Sequence, residues 1–184
     1  MKTHTILWRN LEMPGHDSCQ LLLLHTQWRL TGTAVFSLQQ EPCRLDYLIA
    51  CDLDWRIVSA KLSGWVGNKS VNIQIAADGK RRWVLNSKER PEALGCLDLD
   101  LNFTPATHLP TIRRLGLAVG QSAEVRAAWV RFPAFELEPM TQLYRRVDDS
   151  TYRVESKNGQ FDLQVDASGF VTSYPGRWQA ESMV

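Results

Sequence analysis

Alternating apolar and polar residues run through most of the chain. Such alternation is typical of half-buried β-strands, because successive side chains in a strand point to opposite faces. Clear runs cover Trp28 to Leu38, Leu45 to Cys51, Val71 to Ile75, Leu97 to Phe103 and Phe161 to Val165. With the weaker runs between them, the pattern predicts about ten to twelve strands of ordinary length.

The turns between these runs indicate how the strands pair. Asp78-Gly79 and Asn158-Gly159 each separate two alternating runs. These dipeptides favour two-residue hairpin turns, so neighbouring strands are expected to be antiparallel. So many consecutive antiparallel strands cannot stay flat and open. We therefore predict a mainly β fold in which residues 1–184 form a single domain, either with a strongly curved antiparallel sheet (a half-barrel or barrel-like) or with two sheets packed as a sandwich.

Helical signals are scarce. The clearest segment is Thr107 to Leu117, where Pro110 suits a first helical turn and Ile112 and Leu115 follow apolar helical spacing. A weaker candidate is Met140 to Arg145, although Tyr144 could equally belong to an edge strand. We expect one or two short helices, the clearer of them laid across the mouth of the curved sheet. If the helix does not fill the hollow, a cavity for a small apolar ligand results.

Charge and composition narrow the function classes. The 184 residues include 21 Lys or Arg and 20 Asp or Glu, which gives a formal net charge of +1. Sequence-independent nucleic-acid binding needs many uncompensated cations, so no nucleic-acid partner is expected. The double arginines Arg81-Arg82 and Arg145-Arg146 are interpreted as solvated charges. Seven tryptophans and an excess of arginine over lysine remain to be explained.

The N-terminal sequence and the cysteines bear on location and on metal binding. Met1 to Ser18 lacks the apolar core of a signal peptide, and the longest aliphatic run, Leu21 to Leu24, is far too short for a transmembrane segment. We therefore expect a cytoplasmic protein. Because no two cysteines are paired closely in sequence, as in C-x-x-C, we predict four buried free thiols, no metal and no cofactor. They are Cys19, Cys43, Cys51 and Cys96.

The first candidate site is a pair of aspartates. The common catalytic signatures, such as G-x-S-x-G, H-E-x-x-H and the phosphate-binding loop, are absent, and no catalytic residue is assigned. Asp98 and Asp100 share one face of a predicted strand, roughly 7 Å apart, with leucines on the other face. They suit acid–base chemistry or binding of sugar hydroxyls. Alternatively, they decorate a solvated outer face, which follows if the leucines line the core.

Two further groups of residues offer binding chemistry. Trp55 follows an acidic turn that begins at Asp52, and its ring is suited either to stacking on a sugar or to packing. Arg113 and Arg114 diverge by about 100° on the predicted helix, so only one of them can point inward. An inward arginine needs an anionic partner. We therefore predict that one of the two pairs with Asp98 or Asp100.

Several of these residues belong to a longer series of motifs. The sequence from about Leu45 to Pro175 resembles the putative glycolipid-binding family of bacterial cytoplasmic proteins. The motifs that carry the resemblance are Asp46-Tyr47-Leu48-Ile49, Asp52 and Trp55, Gly95 to Leu101 with Thr104-Pro105, Leu109-Pro110, Ile112 to Leu115, Trp129-Val130, Phe132-Pro133, Gln142, Tyr144, Val165 to Val171 and Tyr174-Pro175. The stretch Ala106 to Thr111 departs from the family pattern.

The resemblance implies a curved sheet like that of the periplasmic lipoprotein carriers, with helices against its concave side. It also implies a lipid or glycolipid ligand. We therefore expect non-enzymatic binding of an amphipathic ligand in the cavity of the sheet. The alternatives are a hydrolase or isomerase that uses Asp98 and Asp100, and a module that binds protein partners through a sheet edge. The candidate ligand-binding residues are Tyr47, Trp55, Asp98, Asp100, Arg113, Arg114, Tyr144 and Tyr152.

Overall fold

The computed structural model describes residues 3–184, which form one large sheet and one short α-helix. The helix α1 spans His108–Leu115, and single 3-10 turns lie at Pro91–Ala93 and Pro105–Thr107. The strands are β1 (Thr3–Asn10), β2 (Gly15–Leu24), β3 (Gln27–Leu38), β4 (Glu41–Cys51), β5 (Ile57–Val66), β6 (Lys69–Ala77), β7 (Trp83–Leu85), β8 (Lys88–Glu89), β9 (Asp98–Asp100), β10 (Ser122–Arg131), β11 (Glu136–Arg146), β12 (Thr151–Ser156), β13 (Gly159–Val165), β14 (Val171–Tyr174) and β15 (Trp178–Met183).

The fifteen strands follow a simple order. Two antiparallel meanders, β1 to β8 and β10 to β15, are joined by the pairing of β1 with β15. The short strand β9 lies beside β10, so β8 and β9 form the two edges of the sheet. All pairs are antiparallel, as the turns predicted, except β9 and β10, which are parallel. The strand count is higher than predicted because β7, β8 and β9 have only two or three residues each.

The sheet curves strongly but is not closed by a hydrogen-bonded ladder. Instead, side chains from both meanders hold the segment that precedes β9. Arg81 donates to the carbonyl oxygens of Cys96 and Leu97 at 3.2 and 3.0 Å. From the other side, Arg126 of β10 donates to the carbonyl oxygens of residues 92 and 94. The expectation that Arg81 is solvated was wrong, because its guanidinium donates hydrogen bonds to the carbonyl oxygens of this segment, which is not itself part of a strand.

The concave face of the sheet forms the core. In β6, for example, Val71, Ile73 and Ile75 are buried while the residues between them are exposed. Large side chains such as Trp8 and Trp83 are completely enclosed. All four cysteines are buried and free, as predicted. Alternation thus predicted which face of most strands is buried.

The helical predictions had mixed success. The segment Thr107 to Leu117 contains α1, which ends at Gly116, a residue in the left-handed region with φ 53°. The prediction of a helix at Met140 to Arg145 was wrong. This segment lies in β11, where Met140, Gln142 and Tyr144 alternate toward the interior. All three pair with β10, and Gln142 and Tyr144 also pair with β12. Within the described chain, no helix has the length and apolarity needed to cross a bilayer.

Candidate functional site

Helix α1 lies inside the curve of the sheet and orients both candidate arginines. Its inner face carries His108, Leu109 and Ile112, all buried. Arg113 and Arg114 fall in the last turn, where cations interact favourably with the helix dipole. As predicted from the helical geometry, they point in different directions. Arg114 turns toward β9, whereas Arg113 is exposed at the mouth of the sheet.

The pairing predicted between the helix and the aspartates is present. Arg114 donates from Nε to Oδ1 of Asp98 at 2.9 Å and from its terminal nitrogen to Oδ2 at 2.6 Å. The side chain of Asp98 is only 1% exposed and that of Arg114 16%. Both Asp98 and Leu99 of β9 are buried, because the helix covers the face of Asp98 and the core covers the face of Leu99. The solvated alternative for Asp98 is therefore wrong.

Trp55 reaches the same mouth through an acidic turn. Asp52 accepts hydrogen bonds through Oδ1 from the backbone amides of Asp54 and Arg56, both at 2.9 Å. Trp55 itself adopts φ 66°, a left-handed conformation that is uncommon for a bulky residue. The turn places its ring parallel to Trp28, with 4.3 Å between the ring centroids. The Arg113 guanidinium lies 5.4 Å from the centroid of the Trp55 ring.

These side chains border an open hollow that we call the tryptophan cleft. Its volume is about 290 Å³. One wall is apolar, and Arg113 forms part of the rim beside the loop between β13 and β14. The lining residues are His4, Leu21, Trp28, Trp55, Arg113, Ala167 and Ser168.

A second hollow, the arginine cleft, continues on the other side of Arg113. It has a volume of about 230 Å³, and it shares Arg113 and Ala167 with the tryptophan cleft. Tyr152 and Arg146 lie on its wall, with the guanidinium 5.8 Å from the ring centroid. Arg146 donates to the carbonyl oxygens of Leu117, Asp148 and Asp149, so its position is fixed by the backbone.

Asp100 and Tyr144 lie near the opposite end of the helix. Asp100 accepts hydrogen bonds from the backbone amide of Asn102 at 2.8 Å and from Nε2 of Gln142 at 2.9 Å. The Tyr144 hydroxyl is 2.7 Å from Nδ1 of His108, and both side chains are buried. Burial raises the pKa of Tyr144 well above its usual value and lowers that of His108. This hydrogen bond therefore joins two neutral groups near neutral pH.

Asp100 borders a small hollow that we call the polar groove. Its volume is about 40 Å³, and His108 and Tyr174 contribute to its walls. The other polar side chains that line it include Asn102, Gln142, Ser156, Asn158 and Arg177.

Tyr47 belongs to a buried hydrogen-bond network in the core. Its hydroxyl lies 3.1 Å from each carboxylate oxygen of Asp17, and Thr104 donates to the same carboxylate. Burial raises the pKa of Asp17 to about 7, although both hydroxyl groups oppose the shift. Sequence reasoning missed Asp17. Its signal was the phase of β2, since Asp17, Cys19 and Leu21 are in step and all face the core.

The eight candidate residues therefore occupy separate places. Trp55 and Arg113 border the tryptophan cleft, and Arg113 also borders the arginine cleft with Tyr152. Asp100 lines the polar groove, and Tyr144 contacts its rim through His108. Asp98 and Arg114 form an ion pair, while Tyr47 lines none of the hollows described here. Among residues 3–184, no three His, Cys, Asp or Glu side chains are grouped closely enough to hold a metal ion.

The chain is similar to two proteins of known structure. A DUF1089 family protein from Pseudomonas aeruginosa is 35% identical, with a TM-score of 0.76 over 89% of this chain and 91% of that one. A beta-barrel-like protein of the DUF1849 domain of unknown function, from Brucella abortus, is 10% identical, with a TM-score of 0.57 over 98% and 96% of the two chains. The second likeness concerns the fold alone. No curated protein matches the sequence significantly.

A family model supplies the remaining comparison. The model described as "Putative glycolipid-binding" matches residues 5–180. The match begins well before Leu45, where the motif resemblance starts. It includes most of β1, all of β2 and β3, and both Trp28 and Trp55 of the tryptophan cleft. Because the model covers nearly all of the sheet and the helix, the chain belongs to the putative glycolipid-binding family.

Proposed function

We propose that the protein binds an amphipathic ligand, a glycolipid or another lipid, without catalysing a reaction. The apolar part of the ligand lies in the tryptophan cleft against Leu21, Trp28 and Trp55. Arg113, on the border with the arginine cleft, contacts the polar head. The single observation that carries the proposal is the position of Arg113 between an apolar hollow and a polar one.

The dimensions of the clefts support this proposal. An apolar cavity of about 150 Å³ is enough to bind benzene. The tryptophan cleft, at about 290 Å³, therefore has room for a larger apolar group while remaining open to solvent at its rim. Burying apolar ligand surface contributes about 25 cal/mol for each Å² removed from water. The guanidinium of Arg113 lies over the ring of Trp55, which leaves its N–H groups available to a ligand head.

The geometry gives less support to catalysis by the aspartate pair. Asp98 is held in two hydrogen bonds by Arg114, and Asp100 is engaged by Gln142 and by a backbone amide. The two carboxylates thus have different partners and do not face a common open space. We therefore give binding preference over the hydrolase or isomerase alternative.

The test is to fill the tryptophan cleft from its rim. Ala167 is exposed and borders both clefts, so an Ala167→Trp variant should fold while blocking the hollow. Wild-type protein purified from a bacterial host should carry lipid in native mass spectrometry and should bind a dansyl-labelled fatty acid. The variant should carry no lipid and bind the probe at least about tenfold more weakly, a loss of about 1.4 kcal/mol.

Ala76→Trp is the matched control. Ala76 is exposed on the convex face of β6, away from both clefts. This variant should bind the probe as the wild type does. Wild-type protein that carries no lipid and does not bind the probe would contradict the proposed function. Equal probe binding by wild type and Ala167→Trp would contradict the assignment to this cleft.

A further inference from the structure

The polar groove adjoins a hollow of a different character. The two share Asn102, Arg177 and Trp178. The adjoining hollow has a volume of about 80 Å³, and its walls include the rings of Phe36, Phe103 and Phe132. Neither hollow shares a lining residue with the tryptophan or arginine cleft. His108, which lines the polar groove, is about 8 Å along the helix axis from Arg113, which lines the two clefts. A site here is therefore separate from the one in the proposed function.

Arg177 is the cation at this junction, and its guanidinium is held by aromatic rings. It lies 4.8 Å from the centroid of Phe161 and 5.5 Å from that of Tyr174. Within the described part of the chain, its guanidinium has neither a hydrogen bond nor a carboxylate within 4.0 Å. A partly buried arginine without a polar partner retains five N–H donors for a ligand.

The side chains around Arg177 offer both donors and acceptors. Gln142 uses one N–H on Asp100, so its amide oxygen is available. Ser156 accepts a hydrogen bond from the backbone amide of Asn158, so its hydroxyl proton is available. The side-chain nitrogen of Asn158 has only a weak contact with sulfur, at 3.7 Å. Most of these groups are neutral, and a ligand that matches them must donate and accept hydrogen bonds at several points.

The charges argue against an oxyanion as the ligand. Asp100 lines the polar groove and Glu12 lines the adjoining hollow, so two carboxylates accompany the single guanidinium. A phosphate or sulfate would be repelled by both. A neutral compound with several hydroxyl groups avoids this repulsion, because a hydroxyl can donate to Asp100 and accept from Arg177.

We propose that the polar groove and the adjoining aromatic hollow bind a neutral polyhydroxy ring compound, a saccharide or a cyclitol. Its hydroxyl edge contacts Asp100, Gln142 and Arg177, and its C–H face packs against the phenylalanine rings. The volumes of the two hollows are consistent with one such ring. At 10–15 Å³ for each water, the two hollows have room for about three and about six water molecules. One ring with its hydroxyl groups replaces a similar number.

The experiment is a titration of the full chain, followed by two-dimensional amide NMR. The probes are methyl α-D-glucopyranoside, methyl α-D-galactopyranoside and myo-inositol. We expect saturable shifts for at least one probe at the amides of Asn102, Asn158 and Arg177. The Arg177→Gln variant should bind about tenfold more weakly, which equals about 1.4 kcal/mol. Asn158→Ala, in an exposed turn, should also weaken binding and serves as an independent variant.

Arg145→Gln is the matched control, because Arg145 is exposed on β11 and lines neither hollow. It should bind as the wild type does. No saturable shift with any of the three probes would overturn the inference, as would equal binding by wild type, Arg177→Gln and Asn158→Ala. Lipid binding in the tryptophan cleft is measured separately, so either proposal can fail alone. Octyl glucoside, used below its critical micelle concentration, distinguishes the two sources of such a saccharide. Tighter binding than that of the methyl glucoside indicates a lipid head group, and equal binding indicates a free sugar.

Discussion

Asp17 is the most unusual residue of the core. Its carboxylate is completely buried, and among residues 3–184 no cation lies beside it. The groups that face it are Tyr47, Thr104 and, in the same strand, Cys19. Burying a carboxylate without a cation is costly, so the folded protein keeps the proton to higher pH. The pKa of Asp17 is accordingly raised from 3.8 to about 7.

The stability of the protein should therefore depend on pH through Asp17. In the unfolded chain the carboxyl loses its proton near 3.8, whereas the folded protein holds it up to about 7. Between these values the folded state binds more protons, so the free energy of unfolding falls as pH rises and then levels off above about 7. Asp17→Asn should remove this component, which amounts to at most about 4 kcal/mol.

Urea denaturation at several pH values between about 4 and 8 measures the effect. The informative quantity is the difference between wild type and Asp17→Asn at each pH, because the other titrating groups are common to both. As pH rises, the free energy of unfolding of the wild type should fall relative to that of Asp17→Asn. Parallel profiles for the two proteins would contradict the assignment.

At the scale of elements, the segment before β9 holds the two edges of the sheet together. Arg81 contributes two hydrogen bonds to its carbonyl oxygens, and Trp83 a third, from Nε1 to the carbonyl oxygen of Cys96 at 3.0 Å. The backbone amide of Ile57 reaches Leu97 at 3.3 Å. We call this segment, residues 92–97, the seam. It places Asp98 opposite Arg114, and so it positions the end of the helix.

Replacing Arg81 should loosen the seam selectively. Hydrogen bonds to a charged donor contribute about 1.5–3 kcal/mol each, so Arg81→Met should lower the free energy of unfolding by at least about 2 kcal/mol. Hydrogen exchange should accelerate most at residues 96–101. The control is Arg82→Met. The guanidinium of Arg82 makes an exposed ion pair with Asp78, so its removal should change the free energy of unfolding much less. Equal effects of the two substitutions would contradict this role for Arg81.

The seam also shows where prediction from the sequence ends. Period-two alternation identified the long strands, because each of them has one face on the core and one in solvent. At β9, alternation wrongly favoured a solvated face for Asp98. Asp98 and Leu99 point to opposite faces of the strand, and both are buried. Alternation gave no warning of the parallel pairing of β9 with β10, which depends on side chains distant in sequence. Asp52 could be assigned to a turn because its hydrogen bonds are local in sequence. The stack of Trp28 on Trp55 could not be foreseen, because it joins residues that are distant in sequence.

At the scale of the whole molecule, helix α1 divides the interior into two ends of different chemistry. The last turn borders hollows lined by Trp28, Trp55 and Arg113, and the first turn faces the polar groove. The motif-level resemblance anticipated a helix on the concave side, and the lipid ligand that it implies stays a prediction. The resemblance did not separate the eight candidate residues into these places, since that separation depends on how far the sheet curls.

The pairing of β1 with β15 has a consequence for how the chain reaches this structure. It is accompanied by the hydrogen bond from the Trp8 indole to the carbonyl oxygen of Val171, which joins residues 163 positions apart. Contacts of such separation require loss of chain entropy before they contribute, whereas the hairpins inside each meander form locally. During refolding, pulsed hydrogen labelling should show protection in β3, β4, β12 and β13 before protection in β1 and β15. Simultaneous protection of all six strands would instead indicate that the two meanders form and pair in one step.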